Sequence, residues 1–468
     1  MRKTSFEDIK ELFNEMEWKQ FEIFLHLNGA EPRILELYKI INSGASRDEF
    51  QMKGSADKKS SAIRNLISTF QYYIDEFFVY KQLESEPEIH NILLLRSLKD
   101  SNAEQRFKLK LKTIKNESLL QNNYKELFGI YSEEYSAEPD SKFHLYNESL
   151  QKKSDFADLY YLNEKLLIFQ LMLSKQILNK EDLHYKWEMW EQIEQYININ
   201  EEKIKNNHPE IYLKYLTLLM VMNKTDESLM LKTEAYLVKA ERILPKNRIT
   251  DYYSDYYNYL TIRINEGEHK LRNKQLELIK ILDKKDFLLD SGGKQISYYN
   301  FKQISDTCLF MKELDWLKYF INKYRTFLAS KEPDNLINLV YAKVFLMKKD
   351  FKTAKEFIKK VSRKDFIHYI DSQITLAKAE FESGFYQEAL QIADSSDKYL
   401  RSHKEIPVYQ QKNTGLFFNY LKKAIKLNDI NEPKVKKTEA ELMYIKLIND
   451  SSPVHSRKWL ESCLEQYK

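Results

Sequence analysis

The chain has 468 residues, with 74 basic against 70 acidic side chains and a hydrophobic fraction of 43%. That hydrophobic fraction is too high for a disordered chain, and the balanced, interspersed charges argue against a dedicated nucleic-acid-binding protein, which usually carries a basic block. Only 9 Gly and 9 Pro occur, so few helix breaks are expected, and the abundant Lys, Glu, Leu and Ile favour helix.

The N-terminal residues predict several helices. Apolar residues recur at helical spacing over 6–16, 18–27, 32–41 and 58–83. We interpret 1–85 as an N-terminal helical capping subdomain, because the end of a stacked helical array would otherwise expose its core. The first residues carry charges throughout and contain no apolar h-region, so no secretory signal is expected.

The segment 46–78 also permits a second interpretation, a degenerate helix-turn-helix. Lys58, Lys59 and Arg64 would then lie near the N-terminal part of the reading helix, where base contacts are made. No wing hairpin is visible after this helix, and capping remains the preferred interpretation. The alternative function is a DNA-binding transcriptional regulator with this motif and a C-terminal repeat sensor, which would make nucleic acid the second candidate partner.

The middle of the chain, 86–290, is predicted to consist of divergent helical repeats. Helical periodicity continues through it, and no strand pattern appears from Pro87 to the end of the chain. Two of the predicted helices occupy 141–153 and 162–178. The second of these is the most apolar helix of the chain and is expected to be the most buried.

Tyrosines are concentrated in DYYSDYYNYL, residues 251–260. Tyr252 and Tyr256, and likewise Tyr253 and Tyr257, are spaced i,i+4 and so share a face of a helix. A tyrosine-lined groove would suit peptide binding. We favour the alternative, in which these rings pack between adjacent helices and their hydroxyls reach solvent.

Three related sequence segments occur in the C-terminal region. The copies occupy 312–321, 347–358 and 382–393. They align without gaps, in steps of 35 residues, when Tyr319, Ala354 and Ala389 are superposed. A repeat of this length that is helical throughout is typical of stacked helix–turn–helix units, in which small residues lie where two helices cross.

An aromatic residue precedes each superposed position by three residues. These aromatics are Trp316, Phe351 and Tyr386. We expect them to be buried between repeat units, because aromatic rings bury large areas and can join thin helix–helix layers.

No catalytic constellation appears in the sequence. The 9 histidines show no HExxH or HxH spacing, and CxxC, GxSxG and GxGxxG are absent. Gly292-Gly293-Lys294 lacks the GxxxxGKS/T spacing of a phosphate loop and is expected to be an ordinary loop. Cys308 and Cys463 are too few for a disulfide framework, so two free thiols in a reducing compartment are expected. We expect no enzyme activity, no metal and no cofactor.

Several blocks carry a family resemblance through their order along the chain. They are KSSAIRNLISTFQYYIDEFFVYKQLE (59–84), YYLNEKLLIFQLML (160–173), NFKQISDTCLFMKELDWLKYFINKYRTFL (300–328), DFKTAKEFIKKV (350–361) and RKWLESCLEQ (457–466). In this layout, which covers nearly the whole chain, the protein resembles a bacterial family of tetratricopeptide-like (TPR-like) helical-repeat proteins. The resemblance implies an α-superhelix in the cytoplasm, and it supplies no catalytic or binding residues.

We therefore predict an all-α protein, a right-handed α-α superhelix or TPR-like solenoid with an N-terminal helical capping subdomain. The predicted regions are the subdomain 1–85, the divergent repeats 86–290, and TPR-like repeats with C-terminal capping helices over 291–468. No apolar stretch reaches the roughly 18 residues that span a bilayer, so a cytoplasmic protein without a membrane partner is expected.

The expected function is a non-enzymatic scaffold that presents a helical surface to a protein or peptide. Polar and aromatic positions on the first helix of each pair are the candidates for the partner-binding face. They are Tyr298, Asn300, Lys302, Asn335, Asn338, Tyr341, Tyr369 and Gln373.

Overall fold

The protein is helical in nearly every part that the structure describes. The computed structural model describes residues 9–43, 60–139, 145–178, 185–290, 293–329, 332–362, 365–450, 452 and 454–467, without the side chains of 60–64 and 178. Twenty-two α-helices lie in these ranges, which confirms the all-α class. None of these helices is long and apolar enough to cross a membrane.

The chain divides into two compact units, Met1–Lys203 and Ile204–Lys468. The helices of the first unit are α1 (Glu15–Leu27), α2 (Pro32–Ser43), α3 (Ser60–Ser85), α4 (Pro87–Asp100), α5 (Glu104–Gln121), α6 (Tyr124–Ser136), α7 (Glu148–Leu178) and α8 (Trp190–Ile199). The boundary between the units falls within α9 (Glu201–Asn207).

The helix that the apolar spacing places at 18–27 begins three residues earlier than predicted. Asn14 forms a capping box: its side chain accepts the N–H groups of Met16 and Glu17, both at 3.0 Å, and the Glu17 carboxylate accepts the N–H of Asn14 at 2.9 Å. Helix α1 therefore starts at Glu15, and the prediction of a helix boundary between 16 and 18 is wrong. Residues 6–8 of the predicted first helix lie outside the described residues.

Helix α7 corrects a second prediction. It is one continuous helix of 31 residues, Glu148–Leu178, where the sequence suggested separate helices over 141–153 and 162–178. The intervening residues contain neither Gly nor Pro, so nothing in the backbone ends the helix. Residues 141–144 lie outside the described part of the chain.

The second unit contains the remaining helices and one short pair of strands. Its helices after α9 are α10 (Pro209–Met222), α11 (Glu227–Ala240), α12 (Lys246–Asn265), α13 (Leu271–Lys284), α14 (Tyr298–Phe310), α15 (Leu314–Tyr324), α16 (Pro333–Met347), α17 (Phe351–Lys359), α18 (Phe366–Glu382), α19 (Tyr386–Ser402), α20 (Val408–Lys426), α21 (Pro433–Asn449) and α22 (Arg457–Glu465). Strands β1 (Ile296–Ser297) and β2 (Leu328–Ala329) pair in parallel, with Ile296 opposite Leu328. They correct the expectation of no strand after Pro87, because strands of two residues are too short to show an alternating pattern.

Asp290 contacts the residues that precede β1. Its carboxylate accepts the N–H of Lys294 at 2.8 Å, and Gly293 has a φ of 66°. Ser291 and Gly292 lie outside the described residues, so the ordinary loop expected for Gly292-Gly293-Lys294 stays a prediction.

Tyrosines of α12 pack inside the second unit. Tyr252, Tyr253, Tyr256 and Tyr257 are all buried, which confirms the packing prediction. Their hydroxyls do not reach solvent as expected: Tyr253 donates to Glu241 Oε2 at 2.9 Å, and the hydroxyls of Tyr256 and Tyr257 are buried. Burial raises the pKa of each of these tyrosines.

Three consecutive helix hairpins follow β1. Hairpin 1 is α14–α15, hairpin 2 is α16–α17 and hairpin 3 is α18–α19, and each first helix packs against the first helix of the next hairpin. Every turn has one residue in the left-handed region. It is Lys312 (φ 59°), Lys349 (φ 58°) and Gly384 (φ 79°) in turn. The residue after it donates back into the first helix, as Glu313 does to the Cys308 carbonyl at 2.9 Å, which is a Schellman ending.

These turns correct the register of the first repeat copy. Lys312 and Lys349 are 37 residues apart, whereas Lys349 and Gly384 are 35 apart. The residue equivalent to the buried Ala354 and Ala389 is therefore Leu317, which is 1% exposed, and not Tyr319, which is 45% exposed. The gapless alignment is wrong for the first copy by two residues.

The corrected register also changes which residue of hairpin 1 is equivalent to Phe351 and Tyr386. Phe351 and Tyr386 are the first residues of their helices, and the equivalent in hairpin 1 is Leu314 instead of Trp316. Trp316, Phe351 and Tyr386 are half-buried, so the prediction that they are buried between units is wrong. Trp316 instead stacks on Phe320 of its own helix, with ring centroids 5.6 Å apart.

Candidate functional site

The first helices of the three hairpins each carry a charged residue at an equivalent position. The residue six before the left-handed turn position is Asp306 in α14, Lys343 in α16 and Lys378 in α18. Because these helices are neighbours, the three side chains lie in a row. With Lys302, Asp371 and His455 they form what we call the charged cluster.

Two lysines and two aspartates of this cluster form a closed network. Asp306 Oδ2 lies 2.8 Å from Lys302 Nζ, and its Oδ1 lies 2.9 Å from Lys343 Nζ. Asp371 Oδ2 lies 3.1 Å from Lys302 Nζ and 3.8 Å from Lys343 Nζ. These four groups therefore compensate one another's charge.

The titration of the network follows from this geometry. Burial alone would raise the pKa of Asp371, but Lys302 and Lys343 outweigh it and lower the pKa to about 2. The same two lysines hold the pKa of Asp306 well below its usual range against the effect of burial. Burial also opposes the charge on Lys302, yet Asp306 and Asp371 raise the pKa of this lysine. Asp306, Asp371 and Lys302 are therefore charged at neutral pH.

Lys378 has different surroundings. Its Nζ donates to Ser456 Oγ at 2.7 Å and lies 5.3 Å from the Trp459 ring centroid and 5.9 Å from that of Phe417. Among the residues that the structure describes, no carboxylate lies within ion-pair distance of this ammonium group. Burial, and next the charge of Lys343, lower the pKa of Lys378 to about 8.

His455 and Ser456, the two residues before α22, lie at one side of the cluster. His455 Nε2 lies 3.9 Å from Asp371 Oδ1, and its Nδ1 lies 3.0 Å from Ser456 Oγ. Burial lowers the pKa of His455 to about 4, and the lysines of the cluster add to this effect while Asp371 opposes it. The imidazole is therefore neutral at pH 7, and Ser456, with a φ of 54°, presents its hydroxyl to Lys378.

The cluster is recessed but open to water. The side chains of Lys302 and Lys343 are each 23% exposed, that of Asp306 39% and that of Asp371 8%. The shifted pKa values of Lys302, Asp306 and Asp371 reflect their partial burial, while the remaining exposure lets a solute reach the side chains. This combination is typical of a binding recess instead of a closed core.

A second group of cations surrounds the half-exposed ring of Phe310 at the end of α14. The Arg272 guanidinium lies 4.0 Å from its centroid and Lys458 Nζ lies 4.9 Å from it. Arg272 Nε is buried without a hydrogen-bond partner among the described residues. Burial lowers the pKa of Arg272 while the charge of Asp306 raises it, so this group belongs to the same electrostatic environment as the cluster.

Two of the eight predicted partner-binding residues lie at the cluster. Lys302 is a member of it, and Tyr298 lies one turn earlier on α14, with its ring edge-to-face against His368 at 5.5 Å. The charges of Asp371 and Lys302 both act on the Tyr298 hydroxyl. That hydroxyl and His368 Nε2 are buried without hydrogen-bond partners in the described part of the chain.

The other six predicted residues are not members of the cluster. Asn300 lines a cavity of about 170 Å³, and Asn335 accepts the N–H of Ser362 at 2.9 Å. The ring of Tyr341 packs on Phe357 at 5.4 Å and that of Tyr369 on Tyr399 at 3.8 Å. Gln373 is buried and Asn338 half-buried. That the eight residues form one partner-binding face stays a prediction.

Sequence reasoning missed five members of the cluster. They are Asp306, Lys343, Asp371, Lys378 and His455. One signal for two of them was present: Lys343 and Lys378 interrupt apolar helix faces and are separated by the same 35 residues as Ala354 and Ala389. A lysine that recurs with the repeat indicates a shared environment.

The residues proposed for DNA contact cannot be compared with the cluster. Lys58 and Lys59 lie outside the described residues, and the side chain of Arg64 lies outside them as well. DNA binding by this segment stays a prediction.

The expected thiols are present. Cys308 and Cys463 are buried and form no disulfide, and burial raises the pKa of each to about 12. The described residues contain no group of three or more His, Cys, Asp or Glu side chains that could hold a metal ion. No protein-family model matches the chain, and no curated protein or solved structure is similar to it at a significant level.

Proposed function

We propose that this protein is a non-enzymatic helical-repeat scaffold that binds a protein or peptide partner through the first helices of hairpins 1 to 3. Three hairpins with the same turn and neighbouring first helices support a TPR-like arrangement, and we propose that it continues as a right-handed α-α superhelix. In such arrays one side chain from each successive helix contributes to an extended binding surface.

The observation that carries the proposal is the charged cluster. Burying charges seldom stabilises a fold, because desolvation offsets the attraction between them. A row of charges at one equivalent position of three neighbouring helices is therefore better explained by recognition than by packing. The partial exposure of Lys302, Lys343 and Asp306 leaves these groups accessible to a partner.

We also propose that the protein acts in a bacterial cytoplasm. Two buried thiols without a disulfide suit a reducing compartment such as the cytoplasm. The bacterial origin is proposed from the resemblance of the sequence to a bacterial repeat family.

Affinity purification with matched variants tests the binding role. Lys343→Met removes one charge of the cluster while keeping the aliphatic chain, and Lys398→Met makes the same change at an exposed position of α19. We expect Lys343→Met to capture at least about tenfold less of the specific partner. The double variant Asn338→Ala, Tyr341→Ala, which alters residues outside the cluster, should capture as much as the wild type.

Retention of every partner by Lys343→Met would contradict this assignment of the binding surface. Thermal unfolding followed by circular dichroism establishes that each variant is folded before the capture is compared.

A further inference from the structure

The charges of the cluster do not balance. Lys302 and Lys343 share the carboxylates of Asp306 and Asp371, so Lys378 is left over as a third cation. Three acidic groups act on it from beyond ion-pair distance. Glu382 accepts from Trp459 Nε1 at 2.6 Å, Asp371 is shared by Lys302 and Lys343, and the thiol of Cys463 is protonated at neutral pH. A desolvated cation is costly unless something supplies a counter-charge.

The other side chains described at the cluster do not cancel the positive charge of Lys378. His455 is neutral at pH 7, as its lowered pKa of about 4 requires. Arg272 and Lys458 converge on the Phe310 ring beside the cluster. The recess therefore presents more positive than negative charge to any solute that enters it.

Neutral polar groups adjoin Lys378 through Ser456. The Ser456 hydroxyl lies 2.7 Å from Lys378 Nζ. Ser456 is also the residue immediately before α22, a nine-residue helix whose first turn is not capped by its side chain. The first N–H groups of a helix have no intrahelical partner and favour an anion.

We propose that the charged cluster binds the phosphate group of a ligand, held by Lys378, Lys343 and the hydroxyl of Ser456. Lysine ammonium groups bind phosphate as point charges, and several of them can surround a tetrahedral anion. This inference rests on the proposed function, because both use the same recess.

Titration calorimetry with inorganic phosphate at pH 7 tests the inference on the isolated full-length protein. We expect saturable binding to the wild type and to the control Lys398→Met, at least about tenfold weaker binding to Lys378→Met, and retained binding to Lys378→Arg. Ser456→Gly removes the hydroxyl without straining the positive φ and should weaken binding about threefold.

Two results would overturn the inference. One is the absence of saturable binding at phosphate concentrations up to ~10 mM, a very weak limit for a specific site. The other is binding to Lys378→Met with the affinity of the wild type. The charge-preserving Lys378→Arg distinguishes loss of the site from a change of packing.

Further titrations identify the anion and its source. Succinate should not compete with phosphate, and equal competition would overturn the assignment to phosphate. O-phosphoserine and adenosine monophosphate carry the same group on an amino acid and on a nucleoside, so tighter binding of either supports the site and names the source. Phosphate binding and partner capture are separate measurements, so the binding role can fail while the phosphate site stands, or the reverse.

Discussion

Glu133 in the first unit and Lys378 in the second are both ionisable groups that are at least partly buried, and they differ in their counter-charges. Glu133 is 5% exposed, and its two carboxylate oxygens accept from Arg96 and Lys99, each at 2.8 Å. Lys378 receives no such counter-charge from the residues that the structure describes. One group is compensated within its own unit, and the other is not.

The pKa values of Glu133 and Lys378 differ in the same way. Burial would raise the pKa of Glu133, but Lys99 and Arg96 outweigh it and lower the pKa below its usual value. Burial lowers the pKa of Lys378 to about 8, and the neighbouring charge of Lys343 adds to the effect. The charge on Glu133 is matched by two cations of its own unit, so no ligand is needed to account for it. The cluster contains a cation, Lys378, that its carboxylates do not match, and this excess favours binding as the reason for the cluster.

Removing a compensating charge should have the largest effect. Asp371→Asn preserves the shape of the side chain but leaves Lys302 and Lys343 with only Asp306 between them. Because Asp371 is 8% exposed, we expect the free energy of unfolding to fall by about 3 kcal/mol, measured by urea denaturation with far-UV circular dichroism.

The matched change Asp334→Asn serves as its control. Asp334 lies on the neighbouring α16, is 78% exposed and pairs with Arg325 at 3.8 Å, so a loss below about 0.5 kcal/mol is expected. Equal losses in the two variants would show that the network contributes nothing beyond a surface ion pair.

Removing the uncompensated charge should have the opposite sign. Lys378→Met eliminates a desolvated ammonium and keeps an aliphatic chain beside Trp459 and Phe417. We expect the unfolding free energy to rise by about 1 kcal/mol, which corresponds to an increase in Tm of about 2 °C for a unit of this size. Differential scanning calorimetry in phosphate-free buffer measures it, and Lys398→Met should leave Tm unchanged.

A lower Tm for Lys378→Met would mean that its contacts with the two rings and with Ser456 outweigh the desolvation of the charge. The contrast between Lys378 and Glu133 would then no longer indicate a binding site.

Local regularities of the sequence predicted the fold better than the site. Ala354 and Ala389 identified the crossing points of hairpins 2 and 3, because each reports the face of its own helix. The register of hairpin 1 was missed, since its turn lies 37 and not 35 residues from the next one. A gapless alignment cannot accommodate such a shift, and Tyr319 was matched where Leu317 belongs.

The cluster could not be assembled from periodicity. Asp371 contacts Lys302 and His455, which are both far from it in the sequence. Helical spacing contains no information about which helices become neighbours. The recurrence of a lysine at 343 and 378 and the i,i+4 spacing of Lys302 and Asp306 were the local signals. Lys302 was chosen for its polarity, and its contact with Asp371 is nonlocal.

The pH dependence of stability gives the smallest expected effect and concerns His455. Its pKa is about 4 in the folded protein against about 6.5 in an unfolded chain. Between these values the unfolded state binds a proton that the folded state does not, so stability falls as the pH is lowered from about 6.5 to 4. The ring is 40% exposed, and solvent screening limits the expected contribution to about 1 kcal/mol.

His455→Gln should remove this contribution. Urea denaturation at pH 7 and pH 4.5 should show a smaller acid loss for His455→Gln than for the wild type, while His26→Gln, a change at an exposed residue of α1, should follow the wild type. Asp371 titrates at a lower pH, near 2, and so affects all three proteins alike over this interval. If phosphate occupies the recess, its negative charge raises the pKa of His455 and the acid loss of the wild type shrinks, which links this measurement to the cations around Lys378.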